Sequence, residues 1–158
     1  SAASDVYKRQ VLQNIGIFLA GIILGRKMGA LSVIVFLLLV ATGLPVLSGG
    51  RGGIGVFVGP SAGFLFLYPF IAYFIGLIRD RYYGKINFLI LFVTTLIIGV
   101  LALDIIGTII MGFIIHIPIS KAFLLSFTFM PGDIIKAIIS SLIGATILNH
   151  TRFKSLIQ

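Results

Sequence analysis

Two opposite charges three positions apart mark the part of this sequence that could do chemistry. Asp133 and Lys136 lie at the start of an apolar segment that runs from Ile134 to Leu148. A spacing of three puts both side chains on one face of a helix, where an acceptor lies beside a donating cation. Charges inside a membrane span are costly and usually belong to a binding site or an ion pathway. The pair therefore predicts a pocket for a small polar solute; the alternative is an internal pair that only neutralises itself.

The composition around this pair is that of a membrane protein. Of the 158 residues, 59% are hydrophobic and only 10% are charged, whereas about a quarter of a soluble domain is charged. The net charge of +8 comes from Lys and Arg in short clusters between apolar runs, which is typical of cytoplasmic membrane loops rather than of a nucleic-acid surface. We expect an all-α, polytopic transmembrane bundle in the plasma membrane, with the lipid bilayer and no nucleic acid as partner.

The first ten residues differ in character from the rest of the chain. Residues 1–10 are polar and lack the apolar core of a signal peptide, and the apolar sequence starts abruptly at Val11. They resemble translated sequencing-adapter read-through. The sequence therefore predicts a non-native leader at 1–10 and a single transmembrane domain at 11–158 that lacks its true N-terminus.

Five apolar runs approach or reach the length of about 17–25 residues that a membrane span needs. The segment Gly107–Met130 is also apolar, but His116, Pro118 and Lys121 interrupt it. It is expected to be a loop with a half-helix, with a sixth crossing as the alternative. The five predicted spans are Val11–Leu24, Met28–Leu47, Gly63–Ile78, Ile86–Ile106 and Ile134–Asn149.

Basic residues assign the connections to the two sides of the membrane. They cluster in three of them, around Lys27, Lys85 and Lys154, and cytoplasmic loops carry such an excess of Lys and Arg. The connections Ser48–Pro60 and Gly107–Asp133 then lie on the outer face. Five spans start the visible chain outside and end it inside, so a protein with both ends inside needs one more helix before Val11.

Rows of small residues at four-residue spacing occur in two of the predicted spans. Such rows allow close helix approach in lipid. They serve either packing within one bundle or a dimer face. The residues are Gly21, Gly25 and Gly29, and later Ala137, Ser141 and Ala145.

A glycine-rich stretch precedes the third span and contains a formal GxGxxG from Gly50 to Gly55. A dinucleotide site needs a preceding strand, a following helix and an acid about twenty residues on. Here a membrane span precedes the stretch, and no acid occurs between Asp5 and Asp80. Because glycines let a loop fold tightly against a ligand, a loop that closes over an external pocket is the better interpretation.

The entry to the third span carries further candidate binding residues. Gly59 and Gly63 flank a proline-containing turn in which Ser61 could cap the helix. Phe64 and Tyr68 could wall an apolar ligand. The alternatives are an ordinary helix start and interfacial aromatic anchors.

Other kinds of site are not indicated by the sequence. There is no cysteine, which excludes thiolate catalysis and Cys-ligated metals. His116 and His150 lie far apart, with no acid at ligand spacing beside either, so no metal site is expected. No catalytic triad or carboxylate pair can be found, and we expect no enzyme. Asp104 faces either a neighbouring helix or outer water.

Four motifs, in their order and spacing, resemble one known family. The stretch Gly59–Leu65 looks like the Gly-Pro-Thr-Gly-Gly-Tyr-Leu signature of BioY, the biotin-binding S component of energy-coupling factor (ECF) transporters. Gln13 in its context resembles that family's second helix, Gly43–Val46 resembles the entry to its glycine-rich loop, and Pro131–Lys136 resembles its last-helix motif. The resemblance covers about residues 11–150.

The resemblance implies six helices in the complete protein, capture of biotin from outside, no cofactor, and coupling to a T component with two ATPase subunits. Ser61-Ala62 departs from the usual Thr-Gly, and Leu67 stands where Gly is common, which affects the expected pocket shape. Another vitamin-like solute, or a non-transporting scaffold subunit, stays open as an alternative. The residues implied to bind the solute are Asp133, Lys136, Gly59, Ser61, Gly63, Phe64, Tyr68 and Gln13.

Overall fold

The regular structure of this protein is helical throughout the part that the structure describes. That part of the computed structural model comprises residues 2–45, 52–59 and 62–157, with side chains described for 13–45, 52–59 and 62–150. Four helical stretches are long and apolar enough to span a membrane: Gln13–Ala41, Ala62–Arg81, Phe88–Ile115 and Ile119–His150. The predicted all-α, multi-pass membrane architecture is confirmed.

We number the helices in chain order. Short 3₁₀ turns at Ile54–Phe57 and Tyr83–Lys85 lie in the connections. A π-helical segment, Thr95–Ala102, joins α3 and α4 without a break. The helices are α1 (Ala2–Ala41), α2 (Ala62–Arg81), α3 (Phe88–Thr94), α4 (Leu103–Ile115) and α5 (Ile119–Ile157).

Helix α1 is a hairpin of two arms rather than one rod. Gly25 has φ 83° and ψ −177°, a conformation that glycine adopts without the steric cost of a Cβ. A Cβ placed on Gly29 would lie 2.7 Å from the carbonyl oxygen of Ala20, although nine residues of straight helix span about 13.5 Å. The chain therefore folds back at Gly25, and the two arms correspond to the first two predicted spans.

The second arm ends earlier than predicted. The helix stops at Ala41, not at Leu47, and Gly43 follows with φ 109°. A positive-φ glycine with a proline shortly after it, here Pro45, is a common way to end a helix. The predicted end at Leu47 was too late because the span was drawn from its apolar residues alone, without regard to Gly43 and Pro45.

Two charged side chains at the end of α2 hold the turn at Gly25. Arg79 donates from Nε to the carbonyl of Ile22 and from Nη2 to that of Ile23, both at 2.9 Å, and from Nη1 to Asp80 at 2.8 Å. Asp80 in turn accepts from the backbone N–H of Arg26 at 3.2 Å. Carbonyls at the end of one arm and an N–H at the start of the next are thereby paired. The basic turn of α1 at Arg26 and the basic end of α2 consequently lie together.

The prediction of a loop at Gly107–Met130 is wrong. Helix α4 continues to Ile115, a short turn at His116–Pro118 follows, and α5 begins at Ile119. His116 takes the left-handed conformation, φ 61°, and so ends α4. His116, Pro118 and Lys121 are all outside the buried core around this turn. His116 and Pro118 interrupt the apolar pattern because they lie between two spans, and Lys121 lies in the first turn of α5.

Small residues set how closely the helices approach. A Cβ on Gly112 would lie 2.7 Å from the Cβ of Ala122, so α4 and α5 run antiparallel from their shared turn. Gly21 packs against α2 beside Ala72, and Gly144 packs against Ile22. These contacts assign at least part of the small-residue rows to packing within the bundle.

Candidate functional site

The predicted charge pair forms inside α5. Lys136 Nζ lies 2.8 Å from Asp133 Oδ1, and Asp133 and Lys136 are only 6% and 8% exposed. Spacing of three along the helix brings the side chains together, as the sequence indicates. The pair is therefore an ion pair withdrawn from the surface of the bundle.

The predicted position of Asp133 at the start of the last span is wrong. Helix α5 begins at Ile119, about 20 Å along the axis before Asp133. Asp133 therefore lies far beyond the first turn of α5, where the helix dipole would stabilise a negative charge. Pro131 also lies inside α5; prolines are tolerated in membrane helices because neighbouring groups can satisfy the freed backbone.

A third ionisable side chain, Asp104, joins this pair from α4. Asp104 is 2% exposed, and its carboxyl lies close enough to interact electrostatically with both Asp133 and Lys136. Its Oδ2 is buried and has no hydrogen-bond partner among the described residues. Its role could not be predicted from the sequence, although an acid inside a predicted span is by itself a signal for a functional site. We call Asp104, Asp133 and Lys136 the charged cluster.

The segment before Asp104 is unusual. The eight residues Thr95–Ala102 form a π-helix, a conformation that often occurs at functional sites. On its inner side a Cβ on Gly99 would lie 2.7 Å from the ring of Phe18 in α1. The π-helical segment thus fits closely against α1 as the chain enters the turn of α4 that carries Asp104.

Gln13 and Tyr68 are brought together from α1 and α2. Gln13 Nε2 donates to the Tyr68 hydroxyl at 3.0 Å, and that hydroxyl lies 3.5 Å from Asn14 Oδ1. Tyr68 is 5% exposed, so this is a second polar contact in the mostly apolar interior of the bundle. Buried amides and phenols need such partners because an unpaired polar group is costly there.

The packing of α2 on α4 relates this contact to the charged cluster. A Cβ on Gly63 would lie 2.6 Å from Ile110 Cβ, and one on Gly107 would lie 2.5 Å from the ring of Phe64. The two helices are therefore antiparallel, and one more helical turn brings Tyr68 to the level of Asp104. Gly63 and Phe64 themselves make a close contact between α2 and α4, and their predicted binding roles stay predictions.

The described part of the glycine-rich loop, residues 52–59, lies at the end of the bundle away from the basic turns. Gly53 N–H donates to Val40 O at 2.7 Å, and the rings of Phe57 and Phe66 are 5.7 Å apart. Gly59 is at the entry to α2, where its carbonyl accepts from the N–H of Ala62 at 3.0 Å. The described part of the loop therefore covers one end of α1 and α2.

Ser61 lies outside the described residues, as do residues 46–51 and Pro60. Its predicted cap and its predicted binding role stay predictions. Gly63, two residues on, is at the level of Ile110, about 9 Å along α4 from Asp104. The loop end of the bundle thus lies roughly two turns beyond the charged cluster.

The charged cluster, together with Gln13 and Tyr68, can bind a small molecule. Its chemistry suits a ligand with a neutral polar group or a small anionic group. Carboxyl oxygens accept hydrogen bonds, an ammonium group donates them, and an amide does both. Removed from bulk water, each such contact is stronger than at a surface. The interior of the bundle therefore offers directional polar contacts within an apolar surrounding, which is typical of small-molecule sites.

The family comparison identifies the domain. A family profile described as the BioY family matches residues 9–153. The chain is 46% identical over 136 residues to the probable biotin transporter BioY of Bacillus subtilis (strain 168), a match that covers 86% of this chain and 73% of that protein. It is 38% identical over 141 residues to the biotin transporter BioY of Rhizobium etli, covering 86% of this chain and 75% of that protein.

A solved structure has the same fold. The crystal structure of the S-component for biotin from an ECF-type ABC transporter matches with a TM-score of 0.81 and 38% sequence identity, over 86% of this chain and 73% of that one. The family is one of transporters, not of enzymes. The match of the profile across nearly the whole chain, together with this fold, confirms the resemblance drawn from the four motifs: the chain belongs to the BioY family.

Proposed function

We propose that this chain is the substrate-binding membrane subunit of a biotin importer. It captures biotin at the outer face and passes it inward with an ATP-driven energising module, made of a T component and two ATPase subunits. The observation that carries the proposal is the buried Asp133–Lys136 ion pair, with 2.8 Å between Nζ and Oδ1, in a chain whose relatives are named biotin transporters.

The pair suits the two polar ends of biotin. The ureido ring presents N–H donors, for which the Asp133 carboxylate is an acceptor. The valerate chain ends in a carboxylate, for which Lys136 is a charge-assisted donor. When the ion pair opens to admit the solute, the polar groups of the solute replace the contact that each charge loses. This lowers the free-energy cost of opening a buried ion pair.

The remaining predicted site residues divide into two roles. Gln13 and Tyr68, hydrogen-bonded to each other at 3.0 Å, form a polar wall at the level of the charged cluster. Gly63 and Phe64 hold α2 against α4 and so shape the pocket. Gly59 belongs to the loop segment that closes over the bound solute, and Ser61 keeps its predicted binding role.

Calorimetric titration of the detergent-purified chain with biotin tests the proposal. We expect saturable binding at one site per chain and no heat from thiamine or riboflavin at the same concentrations. Binding of another vitamin in place of biotin would keep the importer subunit but change its solute. A folded protein that binds none of them would favour a scaffold role and overturn the proposal.

Reconstitution tests the second half of the proposal. In proteoliposomes that contain this chain with a T component and two ATPase subunits, labelled biotin should accumulate only when ATP is supplied on the side of the ATPases. The matched control replaces Lys136 by Met. Equal accumulation by the variant, or accumulation without ATP, would contradict the role assigned to the chain.

A further inference from the structure

Asp104 makes the charged cluster asymmetric. Asp133 and Lys136 neutralise each other through their 2.8 Å contact, so Asp104 adds a carboxyl for which no second cation is found in the described part of the bundle. It is almost fully buried, at 2% exposure. A lone carboxylate in such a place is strongly disfavoured, so Asp104 is stable there as a neutral carboxylic acid.

A neutral Asp104 has one donor and one free acceptor. The cluster supplies an acceptor for its O–H in Asp133, with which its carboxyl interacts. The other oxygen, Oδ2, is buried and without a hydrogen-bond partner among the residues described. Buried polar atoms are nearly always paired, so an unpaired oxygen beside a binding site indicates a partner that arrives with the ligand.

The chemistry of a cyclic urea calls for two acceptors. Its two ring N–H groups diverge on either side of the carbonyl, so one carboxylate cannot accept from both. A second acceptor must therefore come from another direction, and α4 supplies a carboxyl that faces the same cluster as α5.

We propose that Asp104 is a specificity-determining contact for the solute, accepting the second ring N–H of a cyclic urea on Oδ2 while its own O–H donates to Asp133. This rests on the proposed function, because biotin supplies the cyclic urea. The charged groups that face Asp104 are Asp133 and Lys136 of α5. The polar groups at its level on α1 and α2 are Gln13 and Tyr68, which are bonded to each other.

Two substitutions of nearly equal shape separate the parts of the proposal. Asp104→Asn keeps the acceptor oxygen and replaces the O–H by an NH2 group that can donate to Asp133, so biotin affinity should stay within about threefold of wild type. Asp104→Leu has the same number and branching of heavy atoms but no polar atom. It should lose about tenfold or more in affinity, the effect of one buried hydrogen bond.

The ligand provides the matching change. Two biotin analogues, each methylated on one ring nitrogen, are titrated against wild type and Asp104→Leu. The wild type should bind one of the two analogues about tenfold or more weaker than it binds biotin. Asp104→Leu, whose affinity for biotin is already lowered, should bind that analogue as well as it binds biotin. Thr108→Val is the control on α4, since the Thr108 hydroxyl bonds backbone carbonyls within the helix.

Several results would overturn the inference. One is wild-type affinity in Asp104→Leu; another is a loss in Asp104→Asn as large as in Asp104→Leu, which would assign a carboxylate role. Equal losses for biotin and both analogues would indicate mere structural damage. If Asp104→Leu does not fold, Asp104→Ala takes its place with the same expected loss. Failure of the wild type to bind biotin would instead refute the proposed function.

Discussion

Removal of either partner of the Asp133–Lys136 pair should damage both stability and biotin binding. At the observed 2.8 Å the attraction between two unit charges is about 6 kcal/mol for an effective dielectric constant of about 20, and desolvation offsets most of it. Lys136→Met leaves Asp133 buried without its cation, at a cost of about 3–5 kcal/mol. Asp133→Asn leaves Lys136 beside the Asp104 carboxyl, so its cost should be smaller. Both variants should lower the melting temperature, and Lys136→Met should lower it more.

The double variant distinguishes a binding pair from a pair that only neutralises itself. Asp133→Asn with Lys136→Met leaves neither charge of the pair, so it should regain part of the lost stability. Its affinity for biotin should nevertheless stay about 5- to 150-fold below that of the wild type, which corresponds to about 1–3 kcal/mol of binding free energy. In a purely structural pair, binding would recover together with stability.

The assay is a double-mutant cycle in which thermal unfolding and calorimetric titration are measured on the same preparations. Lys121→Met is the matched control, because Lys121 lies on the same helix and is exposed. A double variant that binds biotin as tightly as wild type would refute the binding role of the pair. Single variants as stable as Lys121→Met would refute the reasoning from burial.

Three further predictions concern the ends of the bundle. Arg79→Ala removes two hydrogen bonds to backbone carbonyls of α1 and one to Asp80. The free energy of unfolding should therefore fall by about 2–3 kcal/mol. Unchanged stability in thermal unfolding would show that the Arg79 contacts are not needed to hold the Gly25 turn. Gly76→Ala places a Cβ against the backbone of the Gly25 turn, whereas Gly84→Ala places one where nothing lies within 4 Å. Gly76→Ala should therefore lower the free energy of unfolding by about 1–3 kcal/mol, and Gly84→Ala should leave it unchanged. The sequence has no cysteine, so single Cys variants at Val58, which is 79% exposed, and at Gly84 can be labelled selectively. An impermeant thiol reagent should label the Val58 variant from outside and the Gly84 variant from the cytoplasmic side. The reverse pattern would show that the assigned topology is inverted.

Several features depend on local physics and could be predicted from the sequence. Hydrophobic content and clustered Lys and Arg led to an all-α membrane bundle, because apolar length and charged connections determine which segments can cross lipid. The Asp133–Lys136 contact could be predicted from helical spacing alone. The family could be predicted from motifs whose order and spacing are linear properties of the chain.

Other features could not be predicted because they depend on how helices approach one another. The sequence assigned Gly107–Asp133 to a connection between spans, yet neighbouring helices let Pro131 lie inside α5. The hairpin at Gly25 needs the Arg79–Asp80 clamp from α2, which is distant in sequence.

The sequence by itself determined the membrane class, the family and the acid–amine pair, since each depends on residue type and on spacing along one helix. The tertiary structure decided that this pair lies in the interior of a long helix rather than at its mouth. It also brought Asp104 from α4 to the pair and Gln13 to Tyr68. The physical reason is that burial and pairing between helices depend on antiparallel register and close packing at glycines, and a one-dimensional pattern contains neither.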